Sequence, residues 1–113
     1  MSSSTDHRLD VLAALADTIA ARRGTSPSQS YTAKLLSQGV EKCAKKFGEE
    51  AVEIALAAMT NEREHITNEA ADVMYHLLVL LAATEVPLAD VMAELEKRFA
   101  LGGLEEKANR QQD

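Results

Sequence analysis

The run Leu77-Leu-Val-Leu-Leu-Ala-Ala83 constrains this chain more than any other segment. Its seven residues are consecutive and apolar, with no apolar–polar alternation of the kind a half-buried strand shows. They read as the second half of a helix running from about Glu62 to Thr84. A helix that is apolar all round must be covered on several sides. At 113 residues the chain makes one domain with a small core. So few helices can hardly cover such a segment, and self-association is expected. Seven apolar residues are far too few to span a bilayer, so no membrane role is expected.

The remaining elements are also helical. A first amphipathic helix is expected from about Asp6 to Arg23, with Leu9, Leu12, Leu15, Ala16 and Ile19 as its stripe and Gly24 as its stop. Thr25–Ser30 reads as a polar linker in which Ser30 or Thr32 can cap the next helix. That helix should run from about Tyr31 to Met59, bent or broken near Gly39. Asn61 and Glu64 have the spacing of a capping box. Pro87 should stop the third helix and open a fourth over about Leu88–Ala100, which Gly102-Gly103 ends. Residues 1–5 read as a frayed tail and 105–113 as a polar tail at the edge of order. The expectation is an all-α fold: one domain over 1–113, an antiparallel bundle of four to five helices completed by dimerisation.

Composition agrees. Ala, Leu and Glu dominate, with only four aromatics and two prolines. The net charge of −6, from 18 acidic and 12 basic side chains, disfavours bulk nucleic-acid binding. The single cysteine, Cys43, rules out an internal disulfide and fits a reducing cytoplasm. Met1–Asp6 lacks the basic and apolar regions of a secretory signal. A cytoplasmic location is therefore expected.

Chemistry concentrates in two acidic clusters. Glu49-Glu50-x-x-Glu53 is separated by fifteen residues from Glu69-x-x-Asp72. At ~100° per residue, Glu49 and Glu53 lie about 40° apart on a helix, and Glu69 and Asp72 about 60° apart on another. If the two helices are antiparallel neighbours, four or five carboxylates converge. Such crowding is costly unless a cation sits among them, and Mg²⁺ or Mn²⁺ is the natural oxygen-preferring candidate. Lys42, Lys45 and Lys46 precede the acids on the same helical stripe, which suggests a polyphosphate ligand. The bland alternative is a solvated face of i,i+3 and i,i+4 pairs, each contributing a few tenths of a kcal/mol. Against it, Glu69, Asp72 and His76 share a face that leads into the apolar run.

Gly48 sits inside the acidic helix, where glycine costs about 1 kcal/mol relative to alanine. It reads either as a point of close approach or as a simple kink. His76 is assigned behind the acids, supporting them, in preference to ligating a metal. Cys43 reads as a small buried hydrophobe and Tyr75 as a core or interface residue. There is no Walker or Gly-x-Gly-x-x-Gly loop, no zinc spacing and no nucleophile elbow. Metal-assisted hydrolysis of a phosphoanhydride is the chemistry that remains.

These residues resemble the metal-binding signature of the all-α NTP pyrophosphohydrolases, the MazG-like superfamily. Ser30–Leu35, Gly39–Glu50, Glu69–Leu81 and Leu104–Ala108 are, more specifically, similar to the phosphoribosyl-ATP pyrophosphatase family. The resemblance implies Mg²⁺-dependent cleavage of phosphoribosyl-ATP to phosphoribosyl-AMP and diphosphate, in histidine biosynthesis. It implies that Glu49, Glu50, Glu53, Glu69 and Asp72 form the metal shell and that the enzyme is a homodimer or higher oligomer. Lys42, Lys45 and Lys46 are assigned to phosphates by charge. Two alternatives stand beside this: a house-cleaning nucleotide pyrophosphohydrolase of the same superfamily, and a non-catalytic helical dimerisation module.

Overall fold

The computed structural model describes residues 8–100, and these contain five α-helices and no strand. The expected tails at 1–5 and 105–113, and the Gly102-Gly103 stop, lie outside the described residues.

Helix α1, Asp10–Ala21, turns Leu12, Leu15, Ala16 and Ile19 to one side, and Ile19 is fully buried. The chain leaves it through Gly24, whose φ of +79° is cheap only for glycine. Helix α2, Tyr31–Ser37, is capped by Ser30, whose Oγ accepts from the Ala33 amide at 2.9 Å. Of the two candidate caps it is therefore Ser30 that serves, and Thr32 bonds elsewhere.

The long helix expected over 31–59 is broken, as the glycine suggested. Gly39 adopts φ +93°, a left-handed conformation that separates α2 from α3, Val40–Ala58. Its carbonyl accepts from the Cys43 amide and so starts α3. Gly48 produces no break, since α3 is continuous through it.

Helix α4, Arg63–Ala83, packs against α3 more extensively than any other pair. The four-residue link between them turns at Asn61, at φ +60°. The expected capping box is not formed: α4 begins from Glu62 with no side-chain cap. Asn61 instead spends its tolerance of the left-handed region on reversing the chain after α3. The Glu62 amide meets Thr60 Oγ1 at 3.3 Å.

Helix α4 ends where expected, with Thr84 as its C-cap, but by a different means. The Val86 amide bonds back to the Leu81 carbonyl and the Glu85 amide to that of Ala82, with Glu85 at φ +61°. This is a Schellman stop ahead of Pro87, with glutamate in the seat glycine usually takes. Pro87 only opens α5, Leu88–Ala100, which lies at 112° to α4. No single described helix is long and apolar enough to cross a membrane.

The covered core is small. Ile19 of α1, Leu35 of α2, Cys43 of α3, and Leu78 and Val79 of α4 meet at its centre. The apolar run of α4 is covered unevenly: Val79 is 0 % exposed, while Leu77, and Met74 just before it, stay in solvent. Helix α5 buries no residue fully.

Candidate active site

The α3–α4 hairpin sets the two acidic clusters against each other. Glu50 on α3 and Glu69 and Asp72 on α4 bring one carboxylate oxygen each to within 4.8 Å of one another. Glu50 and Glu69 are half-buried and Asp72 is exposed. Among the described residues no lysine or arginine is ion-paired to any of the three. The Glu69 carboxyl is held above the usual carboxylate range, first by burial, then by the charges of Glu53, Asp72 and Glu50. His65 opposes this shift. The geometry thus brings three of the five predicted acids together and places Glu53 near enough to press on Glu69. Glu49 falls outside the triad, its carboxylate 3.6 Å from the Lys46 ammonium.

His76 stands behind this face, one helical turn beyond Asp72 on α4. It is 6 % exposed, and its buried Nδ1 has no hydrogen-bond partner. Burial is the main reason its pKa is lowered, with Lys46 acting the same way and Glu50 and Asp72 opposing. Its ring meets that of Tyr75 edge-on, with centroids 5.0 Å apart.

The lysines separate. Lys42 and Lys46 line a cavity of about 250 Å³ between α2 and α3, together with Tyr31, Lys34, Leu35 and Gln38. Lys45 is exposed and is not part of that lining. Sequence reasoning missed Lys34 and Gln38. The signal was available, since Lys34, Gln38, Lys42 and Lys46 recur every four residues. It was obscured because the first two precede the break at Gly39. A wider cavity of about 400 Å³, lined by Asn61, Arg63, Ile66 and Thr67, lies at the α3–α4 turn and includes none of the acids.

Cys43 is buried, as expected. Its thiol donates to the Leu35 carbonyl at 3.3 Å, and burial pushes its pKa up. This leaves it a packing residue that ties α3 to α2. Gly48 is open: no protein atom outside its own helix lies within 4 Å of the position a Cβ would take.

Three carboxylates converging from a helix pair, with an ammonium-lined cavity alongside, is an arrangement fit for a metal-bound polyphosphate. The chain is also similar to known proteins. Residues 12–99 match the family model described as phosphoribosyl-ATP pyrophosphohydrolase. A phosphoribosyl-ATP pyrophosphatase of Dinoroseobacter shibae is 59 % identical over 102 residues, which cover 90 % of this chain and 100 % of the relative. One from Cereibacter sphaeroides is 57 % identical over 102 residues, 90 % of this chain and 99 % of the relative. One from a Jannaschia species is 59 % identical over 96 residues, 85 % and 94 % respectively. With identity this high over nearly the whole of each relative, the chain belongs to the phosphoribosyl-ATP pyrophosphohydrolase family, a family of phosphoanhydride hydrolases.

Proposed function

We propose that this chain hydrolyses phosphoribosyl-ATP to phosphoribosyl-AMP and diphosphate, the second step of histidine biosynthesis, with Mg²⁺ or Mn²⁺ as cofactor. The observation that carries the reading is the convergence of Glu50, Glu69 and Asp72, in a chain of this family. The donor set fits the cofactor: three carboxylates, oxygen donors only, within reach of one small hard cation. When bound, such an ion would polarise phosphoryl oxygens and lower the pKa of water so that hydroxide is available as the nucleophile.

The chain's own residues supply the rest. Glu50, Glu69 and Asp72 would hold the cation, and Glu53 adds negative charge beside Glu69. Glu49 keeps Lys46 directed along α3. Lys42 and Lys46 neutralise the diphosphate end as charge builds on it. Lys45, exposed on the same helix, adds to the positive field. His76, neutral at neutral pH because burial lowers its pKa, fills the space behind the acids without adding a charge.

The working form is a homodimer in the cytoplasm. Two apolar stripes support self-association: Val52 and Leu56 on α3 with Met59 just past its end, and Met92, Leu95 and Phe99 on α5. Phe99 is 87 % exposed in the single chain. Light scattering at micromolar concentration should give twice the chain mass. A stable folded monomer would remove the dimer from this reading.

Diphosphate release tests the activity. Phosphoribosyl-ATP should be cleaved far faster than ATP or other nucleoside triphosphates, and only with divalent metal present. Equal rates on ordinary triphosphates would replace this reading with a broader nucleotide pyrophosphohydrolase. Glu50→Gln, Glu69→Gln and Asp72→Asn should each lower turnover by about 10²-fold or more, the scale of losing one group that stabilises transition-state charge. Near-parental turnover in two of the three would remove the metal assignment.

A further inference from the structure

We propose that the cavity between α2 and α3 is an anion subsite for a phosphoryl group of the substrate, with Lys34 of α2 as an essential wall. Phosphate binding is then built across two helices, not along the lysine run of α3 alone. The ligand class is a phosphate oxyanion. It can belong to the departing diphosphate or to the phosphate of the ribosyl group. The proposal rests on the hydrolase reading only in saying whose phosphate it is.

The lining itself argues for an anion. Lys34, Lys42 and Lys46 line about 250 Å³ together with Tyr31, Leu35 and Gln38, and no acidic residue lines it. This occurs in a chain whose net charge is −6. Like charges gathered at one small site repel unless an anion sits among them. Among the described residues neither Lys34 nor Lys42 has an ion-pair partner, and Lys46 touches only the exposed Glu49. At roughly 30 Å³ per water, the space equals about eight waters, enough for a phosphate or diphosphate group.

The wall carrying Lys34 is fixed in place. Its neighbours Ala33 and Leu35 are both buried. Ser30 caps the helix, the Thr32 hydroxyl is hydrogen-bonded to Tyr75 of α4, and the Cys43 thiol holds the Leu35 carbonyl from α3. Lys34 is thus an exposed side chain on a backbone anchored from both sides. The subsite also adjoins the acids: Lys46 precedes Glu50 by one turn of α3, a rise of about 6 Å. One substrate can therefore occupy both places at once.

Calorimetry of the full chain without metal, against inorganic diphosphate and separately against ribose 5-phosphate, provides the test. At least one should bind, and the stronger identifies which phosphate the cavity takes. Lys34→Gln should weaken that binding about tenfold, the scale of one hydrogen bond to a charged group. Lys34→Arg should retain it, and Lys97→Gln, on α5, should leave it unchanged. Parent-like helical content in each variant shows that the fold is intact. If neither anion binds, or Lys34→Gln binds as the parent does, the inference is overturned. Turnover of phosphoribosyl-ATP, measured separately, keeps the two readings apart. Lys34-dependent anion binding without that turnover would support the subsite and remove the substrate assignment. Turnover with a parental KM in Lys34→Gln would do the reverse.

Discussion

The Thr32 hydroxyl and the Tyr75 phenol are hydrogen-bonded across 43 residues of sequence, joining the short helix α2 to the middle of α4. One end of this bond sits two residues from Lys34, the other three residues from Asp72. It therefore joins the cationic and the anionic halves of the proposed site. Tyr75→Phe removes it and leaves a half-buried hydroxyl without its partner, at a cost of about 1 kcal/mol in stability. The KM for phosphoribosyl-ATP should rise more than kcat falls, because α2 loses its tether while the acids stay in place. Steady-state kinetics beside urea denaturation decides; an unchanged KM would show that α2 is held well enough by Ser30, Ala33 and Leu35.

The crowded acids predict a pH dependence with a definite sign. Glu69 titrates at 4.5 when unperturbed and above that in the fold. Between the two values the native state binds more protons than the unfolded one, so stability falls as pH rises through that window. The penalty is absent below the unperturbed value and complete above the raised one. In EDTA, Glu69→Gln should match the parent's Tm at about pH 4 and exceed it at about pH 7.5. Added Mg²⁺ should narrow the difference by stabilising the parent alone. A variant less stable than the parent near neutral pH in EDTA would contradict the repulsion.

Much of this was legible in the sequence because helical spacing is a local property. The break at Gly39 and the stop at Gly24 were readable from glycine's freedom at positive φ. The meeting of Glu50 with Glu69 and Asp72 followed from two periodicities and a short link. What was not legible depends on which backbone conformation a non-glycine residue accepts. Asn61 and Glu85 both take left-handed geometry, so the first failed as a helix cap and the second displaced Pro87 as the stop of α4. Lys34 was hidden for a related reason: its register with Lys42 crosses a break, and periodicity cannot show how two helices fold against each other.

Gly48 separates stability from activity. With open space where a Cβ would stand, Gly48→Ala should stabilise the isolated chain by about 1 kcal/mol, the ordinary helix-propensity gain. Activity should be retained, because at ~100° per residue Gly48 stands about 160° round α3 from both Lys46 and Glu50 and faces away from the proposed site. Thermal denaturation and kcat/KM on the same preparation provide the check. A stabilised variant that loses activity would show that a ligand or a second chain approaches Gly48.

Glu85→Gly should also stabilise. The left-handed conformation costs a glutamate about 1 kcal/mol, and glycine adopts it freely. The substitution also removes the ion pair with Arg23 at 3.5 Å, whose side chains are 43 % and 72 % exposed for Arg23 and Glu85. A pair so open to water contributes little. A rise in Tm of about 4 °C is expected. A fall would mean that the attraction to Arg23 outweighs the strain.

The break at Gly39 has a geometric consequence for Lys34, Gln38, Lys42 and Lys46. On an unbroken helix these four would form a slowly winding file about 18 Å long, a shape suited to tracking an extended polyanion. With the chain turned at Gly39, both ends of the file face one hollow, which favours a compact charge such as a phosphate. A single backbone torsion thus selects the form of anion this surface accommodates. The residue most able to change that choice carries no charge and no side chain.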